Sequence, residues 1–303
     1  MERKNYAEKT IRSADGYALS ARLFDTPHPK AAVLFIHGME EHQGRYVPFA
    51  TFLQENGYAV LTADLRGHGK NAPKLCHIAD RHGDRLLMED EEALLKELQA
   101  QYPGVPVYLF AHSMGTIIAR KWLQTRSGSF GKVALSGYPN PNPAAGIGIG
   151  LGAALASMRT PQGYSKLLDT MVLGGFSKAV KDAESPLDWL SVNRENVQAY
   201  AQDPLCGVPF TLGSYDALFR LLADINKPEM YRDVQAELPI LLIAGSGDPC
   251  VGGAKGRADS KDRLARAGFR NIVTEDLEGM RHEILNEKDN GTVYRKILDF
   301  FEA

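Results

Sequence analysis

Short apolar runs recur along the chain and alternate with segments that have helical spacing. The clearest runs occupy residues 31–36, 58–63, 105–110, 132–136, 238–244 and 271–275. Nearly continuous apolar runs of this length are typical of strands that are covered on both faces, whereas a segment such as 89–102 repeats its apolar residues at helical spacing. The pattern predicts an α/β fold in which helices flank a mostly parallel central sheet.

This alternation stops between about Tyr138 and Ala236. Prolines at 139, 141 and 143 lead into an uncharged, glycine-rich apolar stretch over residues 144–158, and mixed helical patterns without a convincing strand follow. Such a break indicates an insertion in the α/β core. We therefore expect a core formed by residues 1–138 and 236–303, and an inserted helical cap, or lid, formed by residues 139–235.

The composition adds limits on partners. The chain has 303 residues, of which 44% are hydrophobic and 24% charged, so it has ample material for a folded core. The formal net charge is −2. Because this balance provides no cationic field to hold a phosphate backbone, we expect no nucleic-acid partner.

The cysteines and the N-terminal segment bear on the compartment. Cys76, Cys206 and Cys250 are odd in number, far apart and without metal-type spacing. The first residues are charged and lack the apolar stretch of a secretory signal. The interpretation is a cytoplasmic protein in a reducing compartment. The segment 77–82, which contains His77, Asp80 and His82, could be taken for a metal site. We expect none, because the sequence offers no third ligand that converges there and Arg81 would repel a cation.

The segment 109–118 predicts a nucleophilic serine. It consists of the end of a strand, a tight turn at Ser113 and the start of a helix. A sharp turn of this kind lifts the serine oxygen clear of the sheet and needs small residues two positions before and two after. Ala111 and Gly115 are those small residues, so Ser113 is the candidate nucleophile.

A candidate acid and a candidate base follow Ser113 along the chain. Asp248 follows the run 238–244, and His282 follows the run 271–275. Because catalytic groups of parallel sheets gather at the carboxyl ends of the strands, we expect Ser113, Asp248 and His282 to converge. Two other carboxylates fit less well, since Asp276 precedes its own loop and Asp224 lies in the insertion.

Two backbone N–H groups are candidates for an oxyanion hole. Met114 directly follows the nucleophile, and Met39 lies in the loop after the first long strand. Such donors stabilise the charge that develops on a carbonyl oxygen during acyl transfer. We expect His37 and His68 to shape their loops rather than to act as bases.

Several segments resemble the monoacylglycerol lipase and lysophospholipase branch of the α/β-hydrolase superfamily, often labelled serine aminopeptidase-like. The resemblance extends over nearly the whole chain. The segments that carry it are residues 37–46, 64–69, 112–115, 190–193 and 203–206, together with Gly247, Asp248 and His282. Two positions depart from the pattern of the branch. Ala111 replaces the usual glycine of the turn, and Glu40 stands where the oxyanion loop often has glycine.

The resemblance implies a serine hydrolase with the α/β-hydrolase fold that cleaves monoacylglycerols or lysophospholipids through an acyl-enzyme and needs no cofactor. It also implies that the cap lines the acyl site, for which Ile147 and Leu151 are candidates, and that the cap could touch a membrane surface transiently. A peptidase or thioesterase on the same triad, or a non-catalytic binding protein, remains an alternative. The head group, acyl length and oligomeric state stay open.

Overall fold

A computed structural model describes residues 5–140, 160–181 and 183–303. Its strands are β1 (Ala7–Arg12), β2 (Ala18–Phe24), β3 (Ala32–Ile36), β4 (Ala59–Ala63), β5 (Val107–His112), β6 (Lys132–Ser136), β7 (Ile240–Gly245) and β8 (Ile272–Leu277). They form one eight-stranded sheet in the order β1-β2-β4-β3-β5-β6-β7-β8. Pairing is parallel from β4 through β8, and β2 is antiparallel to both β1 and β4. The predicted fold class is confirmed.

Helices cover both faces of this sheet. The α-helices of the described residues are α1 (Val47–Glu55), α2 (Gly83–Gln101), α3 (Met114–Arg126), α4 (Lys166–Val172), α5 (Phe176–Ala179), α6 (Arg194–Gln202), α7 (Leu212–Ile225), α8 (Gly253–Arg266) and α9 (Asn290–Glu302). Apolar residues of α1 and α9 form one core with the sheet. Those of α2, α3 and α8 form a second core on the opposite face. Because β3, β4 and β7 are buried along their whole length, their sequences read as continuous apolar runs.

The hairpin of β1 and β2 was not predicted. In β1 only Ile11 is buried, and in β2 buried and less buried positions alternate. An antiparallel edge with one wet face leaves no continuous apolar run to recognise. The strand β5 also begins later than the predicted run 105–110, at Val107. Pro106 has no N–H to donate to a sheet, although its carbonyl accepts a bond from Ala32.

The segment 139–235 is helical in its described part. It carries α4 to α7, and an isolated bridge joins Tyr164 to Thr211. Helix α7 packs closely on α2, where a methyl group at Gly83 would lie 2.8 Å from the side chain of Ala217. The division into core and cap therefore remains a prediction, with α7 sharing the core of the sheet. Ile147 and Leu151 lie outside the described residues.

Among residues 5–140, 160–181 and 183–303, no helix is long and apolar enough to span a bilayer.

Candidate active site

Ser113 occupies the turn between β5 and α3. Its backbone has φ 51° and ψ −121°, a region that most residues avoid. The turn is held by a hydrogen bond from the Ser113 N–H to the carbonyl of Ser136, at 2.9 Å. A Cβ at Gly115 would lie 2.5 Å from the carbonyl oxygen of Ile36, so only glycine allows α3 to approach β3 this closely. Ala111, which replaces a glycine, fits fully buried.

Ser113, His282 and Asp248 form one hydrogen-bonded chain. The distance from His282 Nε2 to Ser113 Oγ is 2.9 Å, and that from His282 Nδ1 to Asp248 Oδ2 is 2.9 Å. Because a carboxylate only accepts hydrogen bonds, Nδ1 carries the ring proton and Nε2 accepts from the serine hydroxyl. The other oxygen of Asp248 accepts from the backbone N–H of Cys250 at 2.8 Å. The arrangement leaves Nε2 free to take a proton from Ser113.

The surroundings of His282 favour its protonated form. Burial by itself lowers the pKa of this imidazole, but the carboxylate of Asp248 outweighs burial, and the pKa lies above its ordinary value. The buried carboxyl groups of Glu283 and Glu41 act in the same direction. His282 is therefore a stronger base than an exposed histidine.

The rival carboxylates lie elsewhere. Asp276 pairs with Arg257 at 2.7 Å, and its side chain is 57% exposed. Asp224 pairs with Lys121 at 2.8 Å and with Lys227 at 3.0 Å. Asp248 therefore stays the predicted acid.

The loop after β3 lies directly against the nucleophile. A Cβ at Gly38 would lie 3.0 Å from Ser113 Cβ, so glycine permits the approach. The N–H of Gly38 donates to Glu41 Oε1 at 2.6 Å, which fixes the loop. Met39 and Met114 line the same pocket as Ser113. Met39 and Met114 therefore share a pocket with Ser113, and the role of their N–H groups as oxyanion donors stays a prediction.

His37 and His68 have contacts that fit a loop-shaping role. His37 Nε2 accepts from the N–H of Leu65 at 2.9 Å, so its Nδ1 donates to the carbonyl of Gly38 at 2.8 Å. Burial lowers the pKa of His37 well below its usual range and that of His68 to about 4. Both rings are therefore neutral near pH 7.

A buried ionic network that the sequence analysis did not assign lies beside the site. Arg45 donates to both carboxylate oxygens of Glu283, at 2.5 and 2.7 Å, and to Glu41 Oε2 at 2.9 Å. Asn196 bonds to Arg45 at 3.0 Å and to Glu283 at 2.6 Å, and Arg45 lies over the ring of Tyr200. The spacing of four between Glu41 and Arg45 was the only available signal, because the third partner is remote in sequence.

Glu40 adopts an unusual conformation for its residue type. Its φ is 57°, which glycine adopts without strain. Its carbonyl accepts bonds from the Tyr200 hydroxyl and the Gly207 N–H, both at 2.9 Å, so it joins the loop to segment 139–235. Burial, reinforced by nearby Asp169, raises the pKa of its carboxyl to about 8. One carboxyl oxygen has no hydrogen-bond partner among the described residues.

The pocket over Ser113 has a cavity volume of about 100 Å³ and a mostly apolar wall. Its apolar lining in the described ranges includes Ile117, Val172, Leu173, Phe176, Trp189, Leu190, Leu218 and Leu222. The acidic residues Glu40, Glu41 and Glu283 also line this described part, which contains no lysine or arginine. Such a wall suits an uncharged substrate with an apolar chain.

Two described clusters bring potential metal ligands together. One is His42, Asp203 and Cys206, and the other is Cys250 with Asp248 and His282. In the first, His42 Nε2 bonds to Asp203 at 2.8 Å and its Nδ1 accepts from the Gly44 N–H. Burial raises the pKa of both cysteine thiols, which disfavours the thiolate that a metal would need. Ordinary hydrogen bonds thus account for both clusters.

Comparison with known proteins gives consistent matches. A family model described as serine aminopeptidase, S33, matches residues 27–289. The chain is 30% identical over 240 residues to a monoglyceride lipase of Homo sapiens, covering 78% of this chain and 71% of that protein. It is 26% identical over 268 residues to a monoacylglycerol lipase of Mycolicibacterium smegmatis, covering 88% and 85% respectively. A solved thermostable carboxyl esterase from Bacillus coagulans, in complex with glycerol, superposes with a TM-score of 0.91 at 27% identity over 98% of both chains.

Proposed function

The chain belongs to the serine aminopeptidase S33 family of α/β hydrolases and is a carboxylic ester hydrolase, and from this premise we propose that it cleaves monoacylglycerols. The observation that carries the proposal is the hydrogen-bonded chain from Ser113 through His282 to Asp248, which opens into an apolar pocket. The proposed reaction is hydrolysis of a lipid ester through an acyl-enzyme, without a cofactor.

The geometry supports a two-step mechanism. His282 Nε2 takes the proton of Ser113 while Oγ attacks the ester carbonyl, and Asp248 fixes the ring tautomer and stabilises the imidazolium. The backbone N–H groups of Met39 and Met114 stabilise the tetrahedral oxyanion. His282 then gives the proton to the departing alcohol. A water molecule, deprotonated by the same nitrogen, attacks the acyl-enzyme; the bond between Ser113 Oγ and the acyl carbon breaks, His282 returns the proton to Oγ, and the acid is released.

The described pocket wall favours a neutral head group. A lysophospholipid would bring a phosphate to a wall that, in its described part, has no lysine or arginine to pair with it. A monoacylglycerol brings hydroxyl groups and no charge. The apolar residues Val172, Phe176 and Leu218 offer a surface for the acyl chain. Ile147 and Leu151 remain candidates for the same surface.

The cap supports a second part of the proposal, transient contact with a lipid surface. Leu167 and Met171, four residues apart on α4, are 54% and 42% exposed, and Tyr164 nearby is 50% exposed. Exposed apolar groups on one side of a helix can enter the outer layer of a bilayer. Replacing Leu167 and Met171 by serine should reduce co-sedimentation with phosphatidylcholine vesicles. Unchanged binding would remove α4 from the proposed contact.

A cytoplasmic location is also part of the proposal. Cys76, Cys206 and Cys250 are buried and free. Unpaired thiols in a folded chain fit a reducing compartment.

Substrate competition tests the proposed function. The purified protein is given 1-oleoylglycerol, 1-oleoyl lysophosphatidylcholine and an aminoacyl p-nitroanilide at equal concentration, with Ser113→Ala as the blank. We expect the highest kcat/KM for 1-oleoylglycerol. Faster turnover of the lysophospholipid would reassign the head group, and turnover of the anilide alone would make the protein a peptidase.

A further inference from the structure

Two aromatic rings enclose the candidate base. The ring of Trp189 lies 4.8 Å from that of His282, centroid to centroid, at an angle of 41°. The ring of His112 lies 4.8 Å from His282 at 49°. His112 belongs to β5 in the core, whereas Trp189 belongs to segment 139–235. The candidate base is therefore in contact with the inserted segment.

The backbone on both sides of Trp189 is anchored to the loop that carries His282. Arg281 Nη1 donates to the carbonyl of Asp188 at 2.6 Å, and the N–H of Glu283 donates to the carbonyl of Leu190 at 2.7 Å. The neighbours of the tryptophan thus bond to the neighbours of the histidine. Phe176 packs on the other side of the indole, with centroids 4.8 Å apart. The ring contact is therefore held by two hydrogen bonds and a packed aromatic neighbour.

We propose that Trp189 is a positioning residue for His282, and that its ring stabilises the imidazolium formed while the proton moves from Ser113 to the departing alcohol. The inference rests on the proposed role of His282 as the base. It follows that the position of segment 139–235 relative to His282 affects the basicity of His282.

The physical reason is the attraction between a cation and the face of an aromatic ring. Tryptophan provides the strongest such attraction, and it acts within about 6 Å of the ring centroid. The neutral imidazole gains little from it, so the ring selectively favours the protonated form. His112 does not compete for the proton, because burial lowers its pKa well below the usual range.

The substitution of the indole replaces none of the other titratable groups around His282. From the surrounding loops and strands these are Asp248, Glu283, Glu41, Arg45 and His112. A change in the pKa of His282 on substitution of Trp189 therefore measures the effect of the indole ring. Loss of the ring should lower that pKa by about half a unit to one unit.

Fluorescence tests the contact without any substrate. The chain has 2 tryptophans, Trp122 and Trp189, so Trp122→Phe leaves a single reporter. A protonated imidazole quenches indole emission more strongly than a neutral one. We expect the emission of Trp122→Phe to fall as the pH drops through the titration of His282, and the step to vanish in Trp122→Phe/His282→Asn. An identical titration in both proteins would overturn the inference, whatever the substrate proves to be.

The pH profile of kcat/KM tests the consequence for the base. We expect Trp189→Leu to lower the apparent pKa of the acidic limb and to reduce kcat about three- to tenfold. Trp189→Phe keeps an aromatic face and should lie between Trp189→Leu and the wild type. A fall in kcat with an unmoved pKa would show a merely structural role and contradict the proposal. If Trp189→Leu fails to fold, Trp189→Phe and the fluorescence titration decide.

Discussion

Arg45 donates hydrogen bonds to both carboxylate oxygens of Glu283, at 2.5 and 2.7 Å, and thereby connects the loop that follows β3 to the residue after His282. The same guanidinium bonds to Glu41, which accepts the N–H of Gly38 beside the nucleophile. One buried cation thus connects the candidate oxyanion loop with the candidate base. Arginine suits this position because its planar fork matches a carboxylate.

Removing this cation should be costly. Arg45→Met leaves Glu41 and Glu283 buried without their partner, which should lower the free energy of unfolding by about 3–5 kcal/mol. Urea denaturation measures this change in the free energy of unfolding. The matched control is Arg270→Met, because Arg270 pairs with Glu237 while their side chains are 71% and 73% exposed. That control should cost about 1 kcal/mol or less. Equal losses for both variants would contradict the account of the network.

Asp248 and Asp276 should differ in their effect on turnover. Asp248→Asn should reduce kcat on the order of 10⁴-fold, because an amide favours the wrong tautomer of His282. Asp276→Asn changes a carboxylate that is 57% exposed and pairs with Arg257, and it should be mild. Steady-state ester hydrolysis measures both variants. The reverse ranking would move the acid role to Asp276.

Glu40 should make stability depend on pH. Its pKa rises from an ordinary 4.5 to about 8 on folding, so the folded state binds a proton that the unfolded state releases between these values. The stability linked to this proton is fully present below pH 4.5 and is lost as the pH rises through 8. At about 1.4 kcal/mol per unit, the effect amounts to several kcal/mol.

Thermal unfolding between pH 6 and 9 checks this linkage. We expect the Tm of the wild type to fall over this range and that of Glu40→Gln to fall much less. Glu278→Gln, at an exposed position, controls for the substitution itself and should follow the wild type. Parallel curves for the wild type and Glu40→Gln would show that Glu40 does not carry the proton.

The sequence predicted the strands whose burial on both faces produces a continuous apolar run. Strands β3, β4 and β7 are covered on both faces, so their apolar runs were visible, and the residues after β5, β7 and β8 followed from topology. The hairpin of β1 and β2 is half exposed and gave no such run.

Sequence patterns could not predict contacts between segments that are far apart along the chain. Arg45 and Glu283 are 238 residues apart, and no local spacing connects them. The contact of Trp189 with His282 likewise depends on how segment 139–235 folds back over the sheet. Such pairs arise from tertiary packing, on which a single sequence carries no periodic signal.

The role of Ser113 as the nucleophile is tested by the reaction of the purified protein with a fluorophosphonate, followed by mass mapping of the modified peptide. We expect one adduct, on Ser113, that forms in parallel with the loss of 1-oleoylglycerol hydrolysis and is absent from Ser113→Ala. An adduct on another residue, or full hydrolysis by Ser113→Ala, would show that Ser113 is not the nucleophile.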